Sequence, residues 1–183
     1  MNDSKNEEVI IVDADNRIVA SMPRHQMRAR GLPHRATYIL VFNARGEIFV
    51  QERTMRKDIY PGYLDVATGG VVLAGESYEE SAARELAEEL GVRGVELTSH
   101  FDFFHRDTDN QVWGRVFSCT HDGEMTLQEE EVADGFFLQV TEVLALAETR
   151  PFTPDGLLVL RRYLDEKTEA GRRQRPAREK TTS

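Results

Sequence analysis

The segment from Gly70 to Val92 constrains this chain more than any other part of it. Glu76 follows the glycine, and the segment ends in the run Arg84-Glu85-Leu86-Ala87-Glu88-Glu89-Leu90-Gly91-Val92. Carboxylates four residues apart on a helix, such as those of Glu85 and Glu89, repel each other by about a few tenths of a kcal/mol. A hard divalent cation, which prefers oxygen ligands, would neutralise such a cluster. The segment therefore predicts a metal-binding helix.

The ends of this helix can be read from the sequence. Ser77, followed three residues later by Glu80, is a capping box in which each side chain satisfies a backbone N–H of the other residue. Gly91 stands where a helix ends in the left-handed conformation. Helical periodicity puts the three glutamates on one arc of about 100°. It also creates a neighbouring apolar stripe, which consists of Ala82, Ala83, Leu86 and Leu90. We expect one side of the helix to pack on the core and the next to present carboxylates.

At every specified position this segment resembles the signature of the Nudix hydrolases, which cleave nucleoside diphosphates linked to another moiety. The resemblance implies a loop–helix–loop that binds Mg²⁺ or Mn²⁺. The implied catalytic ligands are the carboxylates of Glu85, Glu88 and Glu89, together with the backbone carbonyl of Gly70. The resemblance also implies that Arg84 orients the glutamates, since it can pair with Glu88 four residues later. Glu76 would support the loop or reach a metal through water.

Composition is typical of a single enzyme domain. A length of 183 residues suits one domain with a substantial core. No apolar run approaches the roughly 20 residues of a membrane span, and the polar start of the chain predicts no signal peptide. The single cysteine, Cys119, excludes an internal disulfide and fits a reducing cytoplasm. The formal net charge of −9 argues against general nucleic-acid binding. An anionic diphosphate substrate then requires metal ions and local basic groups at the site.

The order of the predicted elements indicates an α/β fold with a central mixed β-sheet covered on both faces. The resemblance sharpens this prediction to a Nudix α/β/α sandwich. Strands are predicted at residues 9–13, 17–21, 37–42, 47–51, 64–67, 95–104, 111–119 and 135–139. Two further helices are predicted, over about 141–149 and 154–167, and a basic loop is predicted over 23–35. We expect a flexible N-terminus over residues 1–8, a Nudix domain over 9–168 and a disordered basic tail over 169–183.

Residues around the acidic helix resemble one branch of the Nudix superfamily, the isopentenyl-diphosphate isomerases. This resemblance rests on His34-Arg35-Ala36-Thr37, Gln51-Glu52-Arg53, Lys57 and Pro61-Gly62-Tyr63-Leu64-Asp65. An isomerase is therefore the alternative function. Isomerase chemistry uses a cysteine in a Cys-Gly-His context, where this chain has Thr68-Gly69-Gly70. A threonine hydroxyl is too poor an acid at neutral pH to replace a thiol, so the complete carboxylate helix favours metal-assisted hydrolysis.

The same branch implies further site residues. Arg53 and Lys57 match positions that contact the diphosphate, and they would clamp it from one side; a solvated basic turn is the alternative. His34 matches a metal-binding histidine, but the partner histidine has no aligned counterpart here, so we expect His34 to be a structural hydrogen-bonder. Glu129 and Glu131 match an acidic metal ligand outside the helix, with a charged loop as the alternative.

The predicted reaction is Mg²⁺-dependent hydrolysis of a diphosphate linkage in a small molecule. Metal ions would lower the pKa of a bound water, and a glutamate of the helix or of residues 129–131 would take its proton. A non-catalytic Nudix binding module is a third possibility, which the intact carboxylate set disfavours. A set of aromatic residues offers either base stacking or core packing, namely Tyr60, Phe103, Phe104, Trp113 and Phe136. A homodimer is implied by the resemblance alone.

Overall fold

A computed structural model describes residues 4–173. In this range eight strands form one mixed sheet. The strands are β1 Glu8–Val12, β2 Ile18–Pro23, β3 His34–Phe42, β4 Ile48–Arg53, β5 Leu64–Asp65, β6 Thr98–Arg106, β7 Gln111–Thr120 and β8 Val132–Leu138. The helices are α1 Arg24–Arg30, α2 Tyr78–Leu90, α3 Val140–Leu146 and α4 Pro154–Arg173, and a 3-10 turn covers Ser4–Asn6.

Strand β3 is the centre of the sheet. It pairs in parallel with β7 along its whole length, from His34 opposite Val112 to Phe42 opposite Thr120. The other pairings are antiparallel: β6 lies beside β7, and β2 lies beside β1, which contacts β3 at one register pair. Strand β4 also meets β3 at one register pair and pairs with β5 and β8. This combination of parallel and antiparallel pairings confirms the predicted mixed sheet.

Alternate residues of β3 face opposite sides of the sheet, and this alternation sets the order of the layers. Ile39 belongs to the core cluster that contains Leu86 and Leu90 of α2. Leu40 belongs to a second cluster, which contains Leu160 of α4 and part of α3. Helix α2 therefore covers one face of the sheet, and α3 and α4 cover the other. The predicted α/β class with helices on both faces is confirmed.

Helix α2 begins and ends where the sequence predicts. The Ser77 hydroxyl accepts the backbone N–H of Glu80 at 3.1 Å, and the Glu80 carboxylate accepts the N–H of Ser77 at 2.8 Å. Gly91 ends the helix in the left-handed conformation, with a φ of 70°. Leu86 and Leu90 are buried in the core beneath the helix. The carboxylate face is thereby fixed next to the sheet.

The stretch 23–35, predicted to be a basic loop, contains helix α1. Pro23 immediately precedes the helix, where its missing N–H removes no helical hydrogen bond. Gly31 ends the helix with a φ of 59°. Met27 is buried against Val9 and Val71 in a small separate core. The loop prediction is wrong. The basic residues suggest a solvated segment, but Met27 among them is buried and anchors a helix.

Secondary structure extends into both of the predicted terminal segments. The 3-10 turn and Glu8, the first residue of β1, lie within the predicted flexible N-terminus. Helix α4 continues to Arg173, so residues 169–173 of the predicted tail are helical. Residues 1–3 and 174–183, the rest of those two predicted segments, lie outside the described residues. Over residues 4–173, no helix combines the length and the apolar character that crossing a membrane requires.

Candidate active site

A cavity of about 460 Å³ brings together side chains from distant parts of the chain. Its volume is within the usual range for small-molecule sites. The predicted site residues that line it are Arg53, Lys57, Gly70, Arg84, Glu85, Glu88, Glu89 and Glu131. Glu129 is exposed and is not part of this lining. The structure thus brings together all of the predicted site residues except Glu129.

Arg84 connects the acidic residues of α2 to the loop that precedes the helix. Its Nε and Nη2 donate to the two carboxylate oxygens of Glu76 at 2.7 and 3.0 Å. Its Nη1 donates to Glu85 at 2.7 Å and to Glu88 at 3.1 Å. Glu76 also accepts the N–H of Leu73 at 3.2 Å, which ties the loop to the same network. A bidentate, charge-assisted pair of this kind fixes orientation as well as adding energy.

Gly70 lies directly against the carboxylate of Glu85. A Cβ atom added at Gly70 would lie 2.5 Å from Oε1 of Glu85, closer than two such atoms can pack. The backbone here is held against β3, because the Gly70 carbonyl accepts the N–H of Thr37 at 2.9 Å. The Thr37 hydroxyl also donates to this carbonyl, at 3.5 Å. Glycine at this position therefore allows the backbone to lie close to the carboxylate of Glu85.

The donor atoms fit a hard divalent cation, because all of them are carboxylate or carbonyl oxygens. Burial raises the pKa of Glu85, and the charge of Glu89 raises it further, while Arg84 opposes both. A cation would relieve this repulsion. In the described part of the chain, no three Asp, Glu, His or Cys side chains converge into a complete metal site. Arg84 and Lys57 instead take up the carboxylate oxygens.

Glu89 is the most enclosed of the three glutamates, with a residue exposure of 3%. Its Oε2 accepts the hydroxyl of Thr68 and, at 3.1 Å, the N–H of Gly69. Its Oε1 lies 3.4 Å from Nζ of Lys57. Thr68 occupies the place of the isomerase cysteine, and here its hydroxyl donates to a buried carboxylate. The structure therefore assigns that position a hydrogen-bonding role.

Lys57 joins the acidic helix to the loop before β8. Its ammonium pairs with Glu131 as well as with Glu89. Burial raises the pKa of Glu131, but the charge and hydrogen bond of Lys57, together with the charges of Arg24 and Arg53, outweigh burial and hold the pKa below its ordinary value. Glu131 is therefore ionised at neutral pH, in contact with the same cation as a glutamate of α2.

Arg53 lines the cavity but is engaged by the protein itself. Its Nε and Nη2 donate to the carbonyl oxygens of Tyr60 at 3.2 Å and Ile59 at 2.8 Å. Its Nη1 lies 3.5 Å from Oδ2 of Asp65. Burial raises the pKa of Asp65, Arg53 opposes that change, and Asp155 adds to it. Arg53 thus pairs with the buried Asp65 and holds the loop beside it, in addition to facing the cavity.

His34 is buried at the cavity wall, where its Nδ1 lies 3.2 Å from the carbonyl oxygen of Leu32. Burial, together with the charge of Arg28, lowers the pKa of His34 to about 3. The ring is therefore neutral at physiological pH. The contact with the Leu32 carbonyl agrees with the expected role of His34 as a structural hydrogen-bonder.

Of the five aromatic residues considered for base stacking, only Tyr60 lines the cavity. Phe103 is buried against Tyr38, with ring centroids 4.9 Å apart. Phe104 and Trp113 contact each other outside the cavity, with centroids 5.4 Å apart. The remaining member, Phe136, packs against the core. Most of the aromatic set therefore serves packing.

Sequence reasoning missed several residues of the cavity wall. Arg24 and Arg28 of α1 line it, and their spacing of four residues would have placed them on one helical face had the helix been recognised. The Tyr38 hydroxyl donates to Asp155 at 2.7 Å, which joins β3 to α4 at the cavity. No local signal in the sequence indicates the contact between Tyr38 and Asp155.

The mixed sheet and its acidic helix define an enzyme family. Residues 32–160 match the NUDIX domain, and the chain belongs to the Nudix family. A Nudix hydrolase of Pseudomonas aeruginosa is 46% identical over 159 residues, which cover 87% of this chain and 94% of that protein. The Nudix hydrolase YfcD of Escherichia coli is 47% identical over 154 residues, 84% of each chain.

A solved structure extends the comparison to the fold. The crystal structure of DR0079 from Deinococcus radiodurans matches with a TM-score of 0.74 at 25% identity, over 85% of this chain and 98% of that one. The chain is thus a Nudix-type hydrolase of pyrophosphate linkages with the Nudix fold. Both relatives are described as Nudix hydrolases and neither as an isomerase. The resemblance to the isomerase branch therefore stays a prediction.

Proposed function

We propose that this chain is a Mg²⁺- or Mn²⁺-dependent hydrolase that cleaves the diphosphate linkage between a nucleoside and another moiety. The observation that carries the proposal is that Glu85, Glu88, Glu89, Glu131 and Gly70 all line one cavity. All of the atoms offered are oxygens, the ligands that these cations prefer. When bound, the cation would neutralise phosphate charge and lower the pKa of a water molecule. Glu129 is left out of the proposed ligand set because it lies outside the cavity.

The charge of the cavity supports a metal requirement. More acidic than basic side chains line it, and the whole chain carries a formal charge of −9. An anionic diphosphate would be repelled by this lining unless bound cations reverse the local field. The small-molecule class of the substrate follows from the enclosed volume of about 460 Å³.

The chain's own residues have distinct parts in the proposed reaction. Arg84 holds Glu85 and Glu88 in position, and Lys57 places positive charge beside Glu89 and Glu131. A glutamate of α2, or Glu131, takes a proton from water, and the water oxygen forms a bond to phosphorus. The bond from that phosphorus to the bridging oxygen breaks, so both products end in a phosphate group. Proton transfer of this type typically contributes about 10²- to 10⁴-fold to a rate.

The test is a substrate panel with and without Mg²⁺, run on wild type, Glu88→Gln and Glu89→Gln. The panel contains ADP-ribose, UDP-glucose, NADH and isopentenyl diphosphate, and phosphate-ended products are measured. We expect EDTA to abolish turnover and each variant to lose about 10²- to 10⁴-fold. Glu79→Gln is the matched control, because Glu79 lies on the same helix but pairs with Arg115 outside the cavity. Undiminished turnover in both cavity variants would contradict the proposal.

The same panel separates the alternatives. A shifted double bond in isopentenyl diphosphate without phosphate release would favour an isomerase, although the Thr68 hydroxyl is already donated to Glu89. Calorimetry with Mg²⁺ and Mn²⁺ tests the binding module. An absence of metal binding at millimolar concentration, together with an absence of turnover, would favour the module over the hydrolase.

A further inference from the structure

Two arginines of α1 line the cavity with buried donor atoms that the protein does not use. Arg28 donates through Nη1 to the side-chain oxygen of Asn110 at 3.1 Å. The Nε atoms of Arg24 and Arg28 are buried, and within the described residues neither has a hydrogen-bond partner. A buried donor without an acceptor is destabilising, and more so when it carries charge. Such groups are rare in folded proteins, and each calls for an explanation.

Three other cations of the cavity are paired with carboxylates. Arg84 pairs with Glu76 and Glu85, and Lys57 and Arg53 each lie within 4 Å of a carboxylate oxygen. The acidic end of the cavity is thus balanced by the chain itself. Among the described residues of the cavity wall, only the two arginines of α1 have a buried Nε atom without a hydrogen-bond partner.

The electrostatics of Arg28 are dominated by burial beside another cation. Burial and, to a smaller extent, the neighbouring positive charge of Arg24 lower the pKa of Arg28 to about 10. Asp58 and Tyr38 act in the opposite direction, while Arg53 adds to the repulsion. Positive groups held together in a buried wall are stabilised by an anion that accepts hydrogen bonds from both.

We propose that Arg24 and Arg28 bind a second anionic group of the substrate, a phosphate or carboxylate on the moiety joined to the diphosphate. The inference rests on the proposed function, because the diphosphate itself is assigned to the acidic end beside Lys57. It narrows the substrate class to small diphosphates that carry a further negative charge. Stacking on a base requires aromatic side chains such as Tyr60, and few of them line the wall. This composition agrees with recognition by charge.

Two pairs of substrates that each differ by one anionic group test this inference in turnover. NADPH differs from NADH by a phosphate, and UDP-glucuronate differs from UDP-glucose by a carboxylate. Hydrogen bonds to charged groups predict a KM about 10- to 100-fold lower for the anionic member of at least one pair. Arg28→Met and Arg24→Met should remove this preference, so that the two members of the pair have similar KM values. Arg30→Met is the matched control, because Arg30 is exposed on the same helix. The pair that shows the preference identifies the anion.

Phosphate binding tests the same site without catalysis. Inorganic phosphate is titrated by calorimetry into the full chain in EDTA, so that binding through a metal cannot contribute. We expect wild type and Arg30→Met to bind phosphate equally and Arg28→Met to bind it at least about 10-fold more weakly. Thermal melting establishes that each variant is folded, and Arg24→Met provides the measurement if Arg28→Met does not fold.

The two proposals fail separately. Equal phosphate binding by wild type and a folded arginine variant, or no binding by wild type, would overturn the anion subsite whatever the turnover. Phosphate binding that depends on Arg28, with no hydrolysis of any substrate, would overturn the proposed function and support the subsite. Hydrolysis with no preference within either pair would overturn the stated substrate class.

Discussion

Helices α2 and α1 both send charged side chains into one cavity, but they hold them in opposite ways. The glutamates of α2 are in contact with Arg84, Lys57, Thr68 and Gly69. The arginines of α1 keep buried Nε atoms that have no partner among the described residues. The α2 wall of the site is therefore held in place by the chain's own hydrogen bonds, whereas the α1 wall has donors for a negatively charged ligand. Substitutions on the α2 wall should lower turnover, whereas substitutions on the α1 wall should change substrate selectivity.

Among the residues that support the glutamates, Arg84 should show the largest effect, because Arg84→Met removes the donor shared by Glu76, Glu85 and Glu88. Loss of a residue that orients metal ligands typically costs 10- to 100-fold, and we expect about 100-fold in kcat, or about 2.7 kcal/mol. The measurement is kcat with Mg²⁺, beside Arg93→Met, which changes an exposed arginine after α2. A kcat equal to that of wild type would show that the glutamates keep their positions without Arg84.

The buried His34 should make the free energy of unfolding decrease at acid pH. Its pKa falls from 6.5 in an unfolded chain to about 3 in the folded one. Between these values the unfolded chain binds a proton that the folded chain does not, so stability is complete above pH 6.5 and declines as the pH falls. The free energy of unfolding should drop by about 2 kcal/mol between pH 6.5 and pH 5 from this group.

Urea denaturation at both pH values measures the effect of His34. His34→Gln should show a smaller decline than wild type by that amount, whereas His25→Gln, at an exposed position of α1, should decline like wild type. An identical decline in His34→Gln and wild type would mean that the ring takes up its proton without cost to the fold.

Thr68→Val tests the hydrogen bond beneath Glu89. Valine keeps the volume of threonine but removes the hydroxyl that donates to the carboxylate. We expect about a tenfold loss of kcat, or about 1.4 kcal/mol. Thr68→Ser, which retains the hydroxyl, should stay close to wild type. Equal losses in both variants would assign the effect to packing.

Ser77→Ala should have the smallest effect. The Ser77 side chain caps α2, whereas α1 has no side-chain cap. Loss of such a cap typically lowers the free energy of unfolding by about 1 kcal/mol. Urea denaturation measures the change, with Ser99→Ala on an exposed strand position as the control. Turnover should be unchanged, and a loss of turnover at full stability would show that the cap also positions the glutamates.

The sequence was sufficient to predict α2 because everything that defines that helix is local. The capping box of Ser77 and Glu80, the glycine at position 91 and the apolar stripe all lie within one short segment. Gly70 and Glu76 also occupy positions that the family signature specifies. Helix α1 was missed because its apolar anchor is the single buried Met27, whose partners Val9 and Val71 come from elsewhere in the chain. That core is defined by tertiary contacts, and periodicity does not reveal it.

The remaining parts of the site depend on contacts between distant residues. Sequence spacing could not separate Glu129 from Glu131, because the turn decides which of them faces the cavity. In that turn the N–H of Glu131 donates to the Gln128 carbonyl at 2.9 Å. Likewise, the contact of Tyr38 with Asp155 spans 117 positions of the chain.

The parallel pairing of β3 with β7 determines when the site can form during synthesis of the protein. Because His34 pairs with Val112, the ribosome must make the whole intervening chain, α2 included, before the central pair of strands can close. Closing so long a loop costs entropy before its contacts contribute, which makes such sheets slow to fold. Asp155 is added to the cavity wall later still. A nascent chain therefore carries the acidic helix well before it has an enclosed site.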